Sequence, residues 1–191
     1  MINVVVEGAS DQGMARALVE AAGGQVAKIV VKSGKTQLDP LIGNYNRAAI
    51  YSAWLILRDS DTKCPVALRR SLLNPAEQNA NLELRIVHPM SEAWLMADAE
   101  GFAEFFGVNA ADLPRDVEGL QNAKQALLHL CEKSRSRSLR NGLIAKSGHP
   151  GPLYTSILNE FAGTVWSATR AAQSSPSLRR AMEAVARLTS P

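Results

Sequence analysis

The run Ile2–Val6 constrains the fold more than any other part of this sequence. It is a short apolar segment dominated by valine and isoleucine, which is typical of a strand covered on both faces by other elements. Residues 8–11, Gly-Ala-Ser-Asp, end the strand and supply capping side chains for a helix predicted over residues 12–22. A strand that leads into a helix indicates a βαβ unit and therefore a parallel sheet.

Further strands and helices are predicted from the same patterns. The strands are Val26–Val31, residues 53–57 and Leu82–Val87, and the helices cover residues 66–73, 92–106, 123–133, 153–161 and 178–188. Residues 171–177 are predicted to form a loop. Because strands alternate with helices, we expect an α/β fold with a mainly parallel central sheet of about four strands flanked by helices.

The strand pattern ends near residue 120, and the C-terminal third is predicted to be helical. We expect an α/β domain over residues 1–120 and a helical extension over residues 121–191 packed on it, with a single domain as the alternative. Of the 191 residues, 46% are hydrophobic and 20% are charged. This composition is that of an ordinary folded protein, because disordered chains are poorer in hydrophobic residues.

No segment of the sequence is typical of a targeting signal or of a membrane span. The N-terminal run lacks a basic region and a cleavage site, and no stretch reaches the roughly 18 uninterrupted apolar residues of a spanning helix. Cys64 and Cys131 match no metal-binding spacing. We therefore expect a cytoplasmic protein with reduced thiols and no membrane partner.

Carboxylates follow the first, third and fourth predicted strands. Glu7 ends the first strand, Asp59 and Asp61 end the third, and Glu92 follows the fourth. The carboxyl ends of parallel strands meet at one edge of a sheet, so these acids are expected to converge. Such convergence is costly unless a cation lies between the acids, and hard oxygen ligands favour Mg²⁺ or Mn²⁺. Asp59 and Asp61 are two positions apart, so in an extended segment they point the same way and share one metal.

Structural roles compete with the metal-binding role for the same acids. Aspartate is a favoured turn former, which applies to both Asp59 and Asp61. Asp11 lies where a helix cap is needed, and capping is its favoured role. Glu92 lies in the first turn of a predicted helix, where a carboxylate also stabilises the helix dipole. Asp98 is expected to be a cap or a surface group.

Two lysines are expected at the same edge of the sheet. The segment Gly34-Lys35-Thr36 resembles the end of a P-loop, but Ile29 occupies the position of the first glycine. Lys32 and Lys35 nevertheless follow the second strand and are predicted to contact a phosphate there. Solvated side chains without a ligand are the alternative.

A second group of basic residues lies in the C-terminal third. Lys133, Arg137 and Arg140 fall at the helical spacing i, i+4, i+7, which predicts a positive stripe that follows a nucleic-acid backbone. A solvated helix face is the alternative, because no aromatic residues interleave with the basic ones. The net charge of +3 is compatible with a polyanionic partner but identifies none.

Two segments resemble the signatures of the Toprim (topoisomerase-primase) domain, Val6-Glu7-Gly8 and Leu57-Arg58-Asp59-Ser60-Asp61. Other segments are similar to those of a family of small bacterial Toprim-like proteins, namely Gly34-Lys35, Tyr45-Asn46-Arg47-Ala48-Ala49, Ser91-Glu92-Ala93-Trp94-Leu95-Met96-Ala97-Asp98 and Gly151-Pro152-Leu153-Tyr154. Related members serve as the nuclease partner of an ATPase in anti-phage defence. The family resemblance covers most of the chain, and its Toprim-specific part covers the first half.

The resemblance implies a role for each acid. The strand-one glutamate of Toprim enzymes acts as a general acid or base or as a metal ligand, and an Asp-x-Asp pair binds Mg²⁺. These roles fall on Glu7, Asp59 and Asp61, with Glu92 as an additional metal ligand. The sequence departs from the family pattern after the second aspartate, where Thr62-Lys63-Cys64-Pro65 stands in place of a segment that often includes a glycine.

We therefore predict a Mg²⁺- or Mn²⁺-dependent nuclease, or a related phosphodiester-acting enzyme of Toprim type, which acts on RNA or DNA in phage defence. Lys32, Lys35 or Arg69 would neutralise the charge that develops on the phosphate. The main alternative is a non-catalytic Toprim-like module that binds nucleic acid or a partner ATPase. A purely structural interaction protein is the third interpretation.

Overall fold

The central sheet has four parallel strands in the order β2-β1-β3-β4. The computed structural model describes residues 1–189. The strands are β1 (Ile2–Val6), β2 (Val26–Val31), β3 (Ala53–Asp59) and β4 (Leu82–Val87). The predicted α/β fold is confirmed, and β1, β2 and β4 have the predicted bounds, whereas β3 continues beyond residue 57 to Asp59.

Helices connect the strands and make up the rest of the fold. They are α1 (Gln12–Ala21), α2 (Lys35–Leu38), α3 (Ile42–Ala48), α4 (Pro65–Leu72), α5 (Ser91–Met96), α6 (Ala99–Phe106), α7 (Ala123–Glu132), α8 (Arg137–Leu143), α9 (Tyr154–Thr164), α10 (Ala168–Ser174) and α11 (Pro176–Thr189). A 3₁₀ turn, Ala9–Asp11, precedes α1. The C-terminal third is helical, as predicted.

Two predicted segments differ from the structure. Residues 92–106 form two helices instead of one, because the Asp98 side chain accepts a hydrogen bond from the Gly101 amide and begins α6. Residues 171–177 are largely helical, since α10 runs to Ser174 and α11 begins at Pro176. A buried serine, Ser175, separates these two helices and caps the second through the Leu178 amide.

Each face of the sheet is covered by its own apolar cluster. On β1, Val4 and Val6 belong to the larger cluster, with α1 and the C-terminal helices, while Val5 belongs to the smaller one, with α3 and α4. The larger cluster joins both parts of the chain, since Phe102 packs on Phe161 with ring centroids 5.7 Å apart. Burial on both faces explains why β1 is apolar at nearly every position.

The switch point of the sheet lies between β1 and β3, because the strands that follow them in the chain are added on opposite sides. β1 connects outward to β2 on one side, and β3 connects to β4 on the other. In open α/β sheets the crevice at this switch point, at the carboxyl ends of the strands, is where ligands bind. Among the described residues, no helix has the length and apolar character needed to cross a membrane.

Candidate functional site

A cavity of about 390 Å³ opens at the carboxyl ends of β1 and β3. Four carboxylates and two lysines are among its lining residues: Glu7, Asp11, Asp59, Glu92, Lys32 and Lys124. We call these four acids the acid cluster. Three of them were predicted to converge at this edge, and the fourth, Asp11, was expected to serve mainly as a cap.

Glu7 ties the first strand to the third. Its Oε1 accepts a hydrogen bond from the Asp59 amide at 2.9 Å and lies 3.1 Å from Nη1 of Arg58. Burial raises the pKa of Glu7 above its ordinary value, although the charge of Arg58 and the bond from the Asp59 amide act in the opposite direction. The Glu7 carboxylate is therefore fixed in position at the mouth of the switch point.

Asp11 both caps a turn and faces the cavity. Its Oδ2 accepts from the Gly8 amide at 2.9 Å, and its Oδ1 accepts from the Ser91 hydroxyl at 2.7 Å. Burial raises the pKa of Asp11, and the charge of Glu92 adds to the effect. Asp11 stands at the predicted cap position of α1, but its side chain makes no capping bond to that helix and instead closes the preceding turn. The bond from Ser91 also joins this turn to the start of α5.

Asp59 is the acid without a compensating partner. Within residues 1–189, its carboxylate has neither a hydrogen bond nor an ion pair. Burial raises the pKa of Asp59 well above its ordinary value, and the charges of Asp11, Glu92 and Glu7 raise it further. A bound cation would offset the repulsion among these acids.

Glu92 is held by two residues from the C-terminal helices. The Tyr154 hydroxyl donates to its Oε1 at 2.6 Å, and Lys124 Nζ lies 3.4 Å from the same atom. The Glu92 side chain is 2% exposed, whereas that of Lys124 is 45% exposed. Burial disfavours the charged form of Lys124, but Glu92 nevertheless raises the pKa of this lysine. Lys124 therefore brings a positive charge to the cavity wall.

Asp61 does not line this cavity. β3 ends at Asp59, and Asp61 has a φ of 53°, so the extended segment that would align the two side chains is absent. The Asp61 carboxylate instead lies 2.8 Å from Lys35 Nζ and 3.5 Å from Arg58 Nη1. Contrary to the sequence-based expectation, the Asp-x-Asp pair does not present both side chains to one cavity, and Lys35 is occupied by an ion pair.

Arg58 organises the acids at the end of β3, and sequence reasoning missed it. Its side chain is 1% exposed and contacts Glu7, Asp39 and Asp61. Burial disfavours its charge, but these three acids together raise the pKa of Arg58 above its ordinary value. An arginine directly after the apolar strand residues 53–57 was the available signal, because such a residue is buried only when it is paired.

The remaining predicted basic residues are scattered. Arg69 lies outside the cavity, where it donates to the Leu84 carbonyl and to Gln78. Lys133 follows the end of α7 and pairs with Asp112 at 3.5 Å. Arg137 and Arg140 belong to a separate helix, α8, and Arg140 donates to the Ser134 carbonyl. The predicted single stripe of basic residues on one helix face is therefore wrong, because the helix ends before it reaches Arg137.

Lys124 and Tyr154 are functional candidates that the sequence did not single out. Lys124 lies at the start of α7, far from the acids in sequence, and Tyr154 ends the segment Gly151-Pro152-Leu153-Tyr154 that carried part of the family resemblance. That segment was the signal available for Tyr154. For Lys124 we find no sequence signal, since its role depends on how α7 packs beside α5.

The acid cluster suits a divalent cation in its chemistry. Its donors are all carboxylate oxygens, as Mg²⁺ and Mn²⁺ prefer, and Asp59 lacks a counter-charge. Within residues 1–189, no three His, Cys, Asp or Glu side chains already stand at metal-ligating spacing. Mg²⁺ usually takes only one or two carboxylates and completes its shell with water and substrate phosphate. The donor set therefore fits a metal that binds together with a phosphate.

Comparison of the chain with protein-family models, with curated proteins and with solved structures found no match.

Proposed function

We propose that this protein is a divalent-metal-dependent nuclease that cleaves phosphodiester bonds at the acid cluster. The observation that carries the proposal is the convergence of four carboxylates on one cavity at the switch point of the sheet, with Asp59 left without a partner. Like charges that converge in one cavity disfavour one another, and a cation bound among them would relieve this repulsion and attract a phosphate.

Glu7 and Asp59 are the residues that would hold Mg²⁺ or Mn²⁺. When bound, such a metal polarises a phosphodiester and supplies an activated water at neutral pH. Lys124 and Lys32 line the same cavity, where they would contact non-bridging phosphate oxygens and offset the charge that develops during cleavage. Glu92 and Tyr154 position Lys124.

The substrate and partner follow from the resemblance rather than from the cavity. We propose RNA or DNA as the substrate, a role in phage defence, a cytoplasmic location and an ATPase as the partner of the nuclease, because related Toprim-like proteins act in this way. The exposed Arg137 on α8 is available to a nucleic-acid backbone. The domain boundary near residue 120 remains a prediction.

A non-catalytic binding module is the second candidate. Its support is the state of Asp61, whose carboxylate is engaged by Lys35 and Arg58 instead of facing the cavity. A Toprim-like domain with only part of its metal site would still bind a phosphate backbone or a partner. The two candidates differ in metal-dependent turnover.

The test is cleavage of short labelled RNA and DNA oligonucleotides by the full chain in Mg²⁺, in Mn²⁺ and in EDTA. We expect cleavage by wild type with metal and a loss of roughly 10²-fold or more in Glu7→Gln and Asp59→Asn. The matched control is Asp112→Asn, which alters a surface carboxylate outside the cavity. Cleavage that persists in EDTA would contradict the proposal, and binding without cleavage under every condition would favour the second candidate.

A further inference from the structure

A second pocket, of about 120 Å³, lies at the edge of the sheet between α4, β4 and α11. β4 is the outermost strand on this side, so its outer edge pairs with no other strand among residues 1–189. The pocket is lined by three arginines, Arg69, Arg85 and Arg180, and by no acidic residue. We call it the arginine pocket. It shares no lining residue with the cavity of the acid cluster.

Arg85 is the least satisfied of the three arginines. Its Nε is buried without a hydrogen-bond partner, and its guanidinium makes no hydrogen bond or ion pair within the described part of the chain. A buried donor without an acceptor costs free energy, so native proteins rarely leave one unless an ion or water supplies the acceptor. Arg85 also lines the pocket, where the other charged side chains, Arg69 and Arg180, are positive.

The charge around Arg85 is only partly compensated. Burial lowers the pKa of Arg85, the charge of Glu83 raises it, and the like charges of Arg69, Arg187 and Arg180 lower it. Glu83 is itself paired with Arg187, whose Nη2 lies 3.3 Å from the Glu83 Oε1 atom. The nearest acid is therefore already occupied, and an anion in the pocket would relieve the repulsion among the arginines.

Arg69 is fixed in place by neutral partners. Its Nε donates to the Leu84 carbonyl at 3.1 Å, and its Nη2 donates to Gln78 Oε1 at 2.6 Å. These bonds orient the guanidinium without cancelling its charge. Arg180 makes no ion pair within residues 1–189, and its exposed side chain on α11 forms the opposite wall of the pocket. One arginine is thus preorganised, and one is free to close over a ligand.

We propose that the arginine pocket binds a phosphate group, which the guanidiniums of Arg69, Arg85 and Arg180 hold between them. Planar guanidinium forks match phosphate oxygens in bidentate geometry, and no acidic side chain lines the pocket to compete for the three arginines. The phosphate belongs either to a nucleic-acid backbone or to a small phosphorylated ligand. This site does not depend on the proposed nuclease activity, since none of its residues belongs to the acid cluster.

The first test is thermal melting of the full chain in inorganic phosphate and in chloride at matched ionic strength, with EDTA present. We expect a saturable rise in Tm with phosphate for wild type, and loss of that rise in Arg85→Gln and Arg180→Gln. The matched control is Arg179→Gln, because Arg179 is exposed on the same helix and does not line the pocket. Phosphate also stabilises proteins by exclusion from their surface, but that effect does not saturate and is common to all variants.

Arg180→Gln alters an exposed side chain and leaves the fold intact, so the test does not depend on how Arg85→Gln folds. In chloride, Arg85→Gln is expected to melt no lower than wild type, because it removes an unpaired charge. A phosphate-induced rise in Tm that is the same in all four proteins would overturn the proposal, whether or not the protein proves to be a nuclease.

Oligonucleotide binding distinguishes the two sources of phosphate. With a short single-stranded DNA in EDTA, a backbone contact predicts weaker binding by Arg85→Gln and Arg180→Gln and a salt dependence whose log–log slope is lower by about 0.7 per lost contact. Arg179→Gln should bind as wild type does. If Arg85→Gln and Arg180→Gln lose the phosphate-induced rise in Tm but bind DNA as tightly as wild type does, the ligand is a small phosphorylated molecule.

Discussion

Asp59 is the residue on which metal binding at the acid cluster depends most. Its carboxylate has no partner within residues 1–189, and the charges of Asp11, Glu92 and Glu7 oppose its ionisation. An unpaired carboxylate among like charges destabilises the folded state unless it is protonated or neutralised by a cation. The stability of the protein should therefore respond both to metal and to the removal of this one charge.

We predict that Asp59→Asn in EDTA is at least as stable as wild type, because asparagine keeps the size of the side chain and removes its charge. Wild type should gain about 2.7 kcal/mol at a metal concentration one hundred times the dissociation constant, and the variant should gain much less. Thermal melts of both proteins with EDTA, with Mn²⁺, and with Mn²⁺ and a short oligonucleotide measure these states. If metal does not change the Tm of wild type and Asp59→Asn melts at a lower temperature than wild type, Asp59 is a structural turn residue and not a metal ligand.

The pH dependence of stability provides a second test of the acid cluster. The pKa of Asp59 in the folded protein lies above its ordinary value of 3.8, so the folded state holds a proton that the unfolded chain has lost. The free energy of unfolding of wild type should therefore fall as pH rises from about 4 toward the raised pKa. Asp59→Asn lacks this contribution. Urea unfolding in EDTA measures the free energy of unfolding of both proteins. We expect Asp59→Asn to exceed wild type by an amount that is near zero at pH 4 and increases toward neutral pH. A difference that does not change with pH would contradict the prediction.

The junction between α5 and α6 shows how one buried acid joins separate helices. Asp98 is 1% exposed and accepts hydrogen bonds from the Gly101 amide, from the Ser167 amide at 2.8 Å and from Arg170 Nε at 2.8 Å. It thereby begins α6 and fixes the start of α10 against it. Because α5 carries Ser91 and Glu92, this junction also supports one wall of the cavity.

We predict that Asp98→Ala lowers the free energy of unfolding by about 1.5–3 kcal/mol, the cost of losing hydrogen bonds to a charged group. Arg170 stays hydrated after the change, because its side chain is already 42% exposed, and this limits the cost. The control is Asp112→Ala at the exposed pair with Lys133, where a loss of less than about 1 kcal/mol is expected. Urea unfolding measures both variants, and equal losses would show that the hydrogen bonds of Asp98 contribute no more to stability than an exposed ion pair.

Sequence patterns predicted the elements well where burial alone decides the structure. The valine-rich runs of β1 and β2 are strands because apolar β-branched residues fit a sheet covered on both faces. The short helices α2 and α3 were missed, since each is too brief for a helical period to be visible. α8 was missed for the same reason, and its basic residues Arg137 and Arg140 were grouped with Lys133 only by their helical spacing.

The candidate site was predictable only in the part that the strand ends define. Glu7 and Asp59 follow from the topology of a parallel sheet. Asp61 does not, because its placement depends on the left-handed backbone at that residue and on ion pairs with Lys35 and Arg58. Lys124 likewise depends on the packing of distant helices, which no local pattern encodes.

At the scale of the whole molecule, α9 clamps the turn that begins the site. Asn159 Oδ1 accepts from the Gly13 amide at 2.7 Å, and its Nδ2 donates to the Ala9 carbonyl at 2.9 Å. These bonds fix the 3₁₀ turn Ala9–Asp11, which carries one acid of the cluster. Gly13 is required at this contact, since a Cβ there would lie 2.7 Å from the Asn159 carbonyl oxygen.

We predict that Gly13→Ala destabilises the protein by roughly 1–3 kcal/mol, the cost of overpacking against a backbone that cannot move away. The matched control is Gly163→Ala in α9, where a Cβ meets nothing within 4 Å. That change should stabilise the protein by up to about 1 kcal/mol, because alanine favours the helix. Thermal melts compare the two variants. An unchanged Tm for Gly13→Ala would show that the backbone of α9 does not pack closely against Gly13.

The clamp by Asn159 also sets the order in which a newly synthesised chain completes its site. Asn159 comes 150 positions after Ala9, its partner in the turn. At about 5–20 residues per second, ribosomes therefore make Glu7 and Asp11 many seconds before α9, the helix that holds the turn. A nascent chain has the carboxylates without the clamp, and also without Tyr154 and Lys124. Any activity of this cavity consequently requires that the chain has been made at least as far as α9.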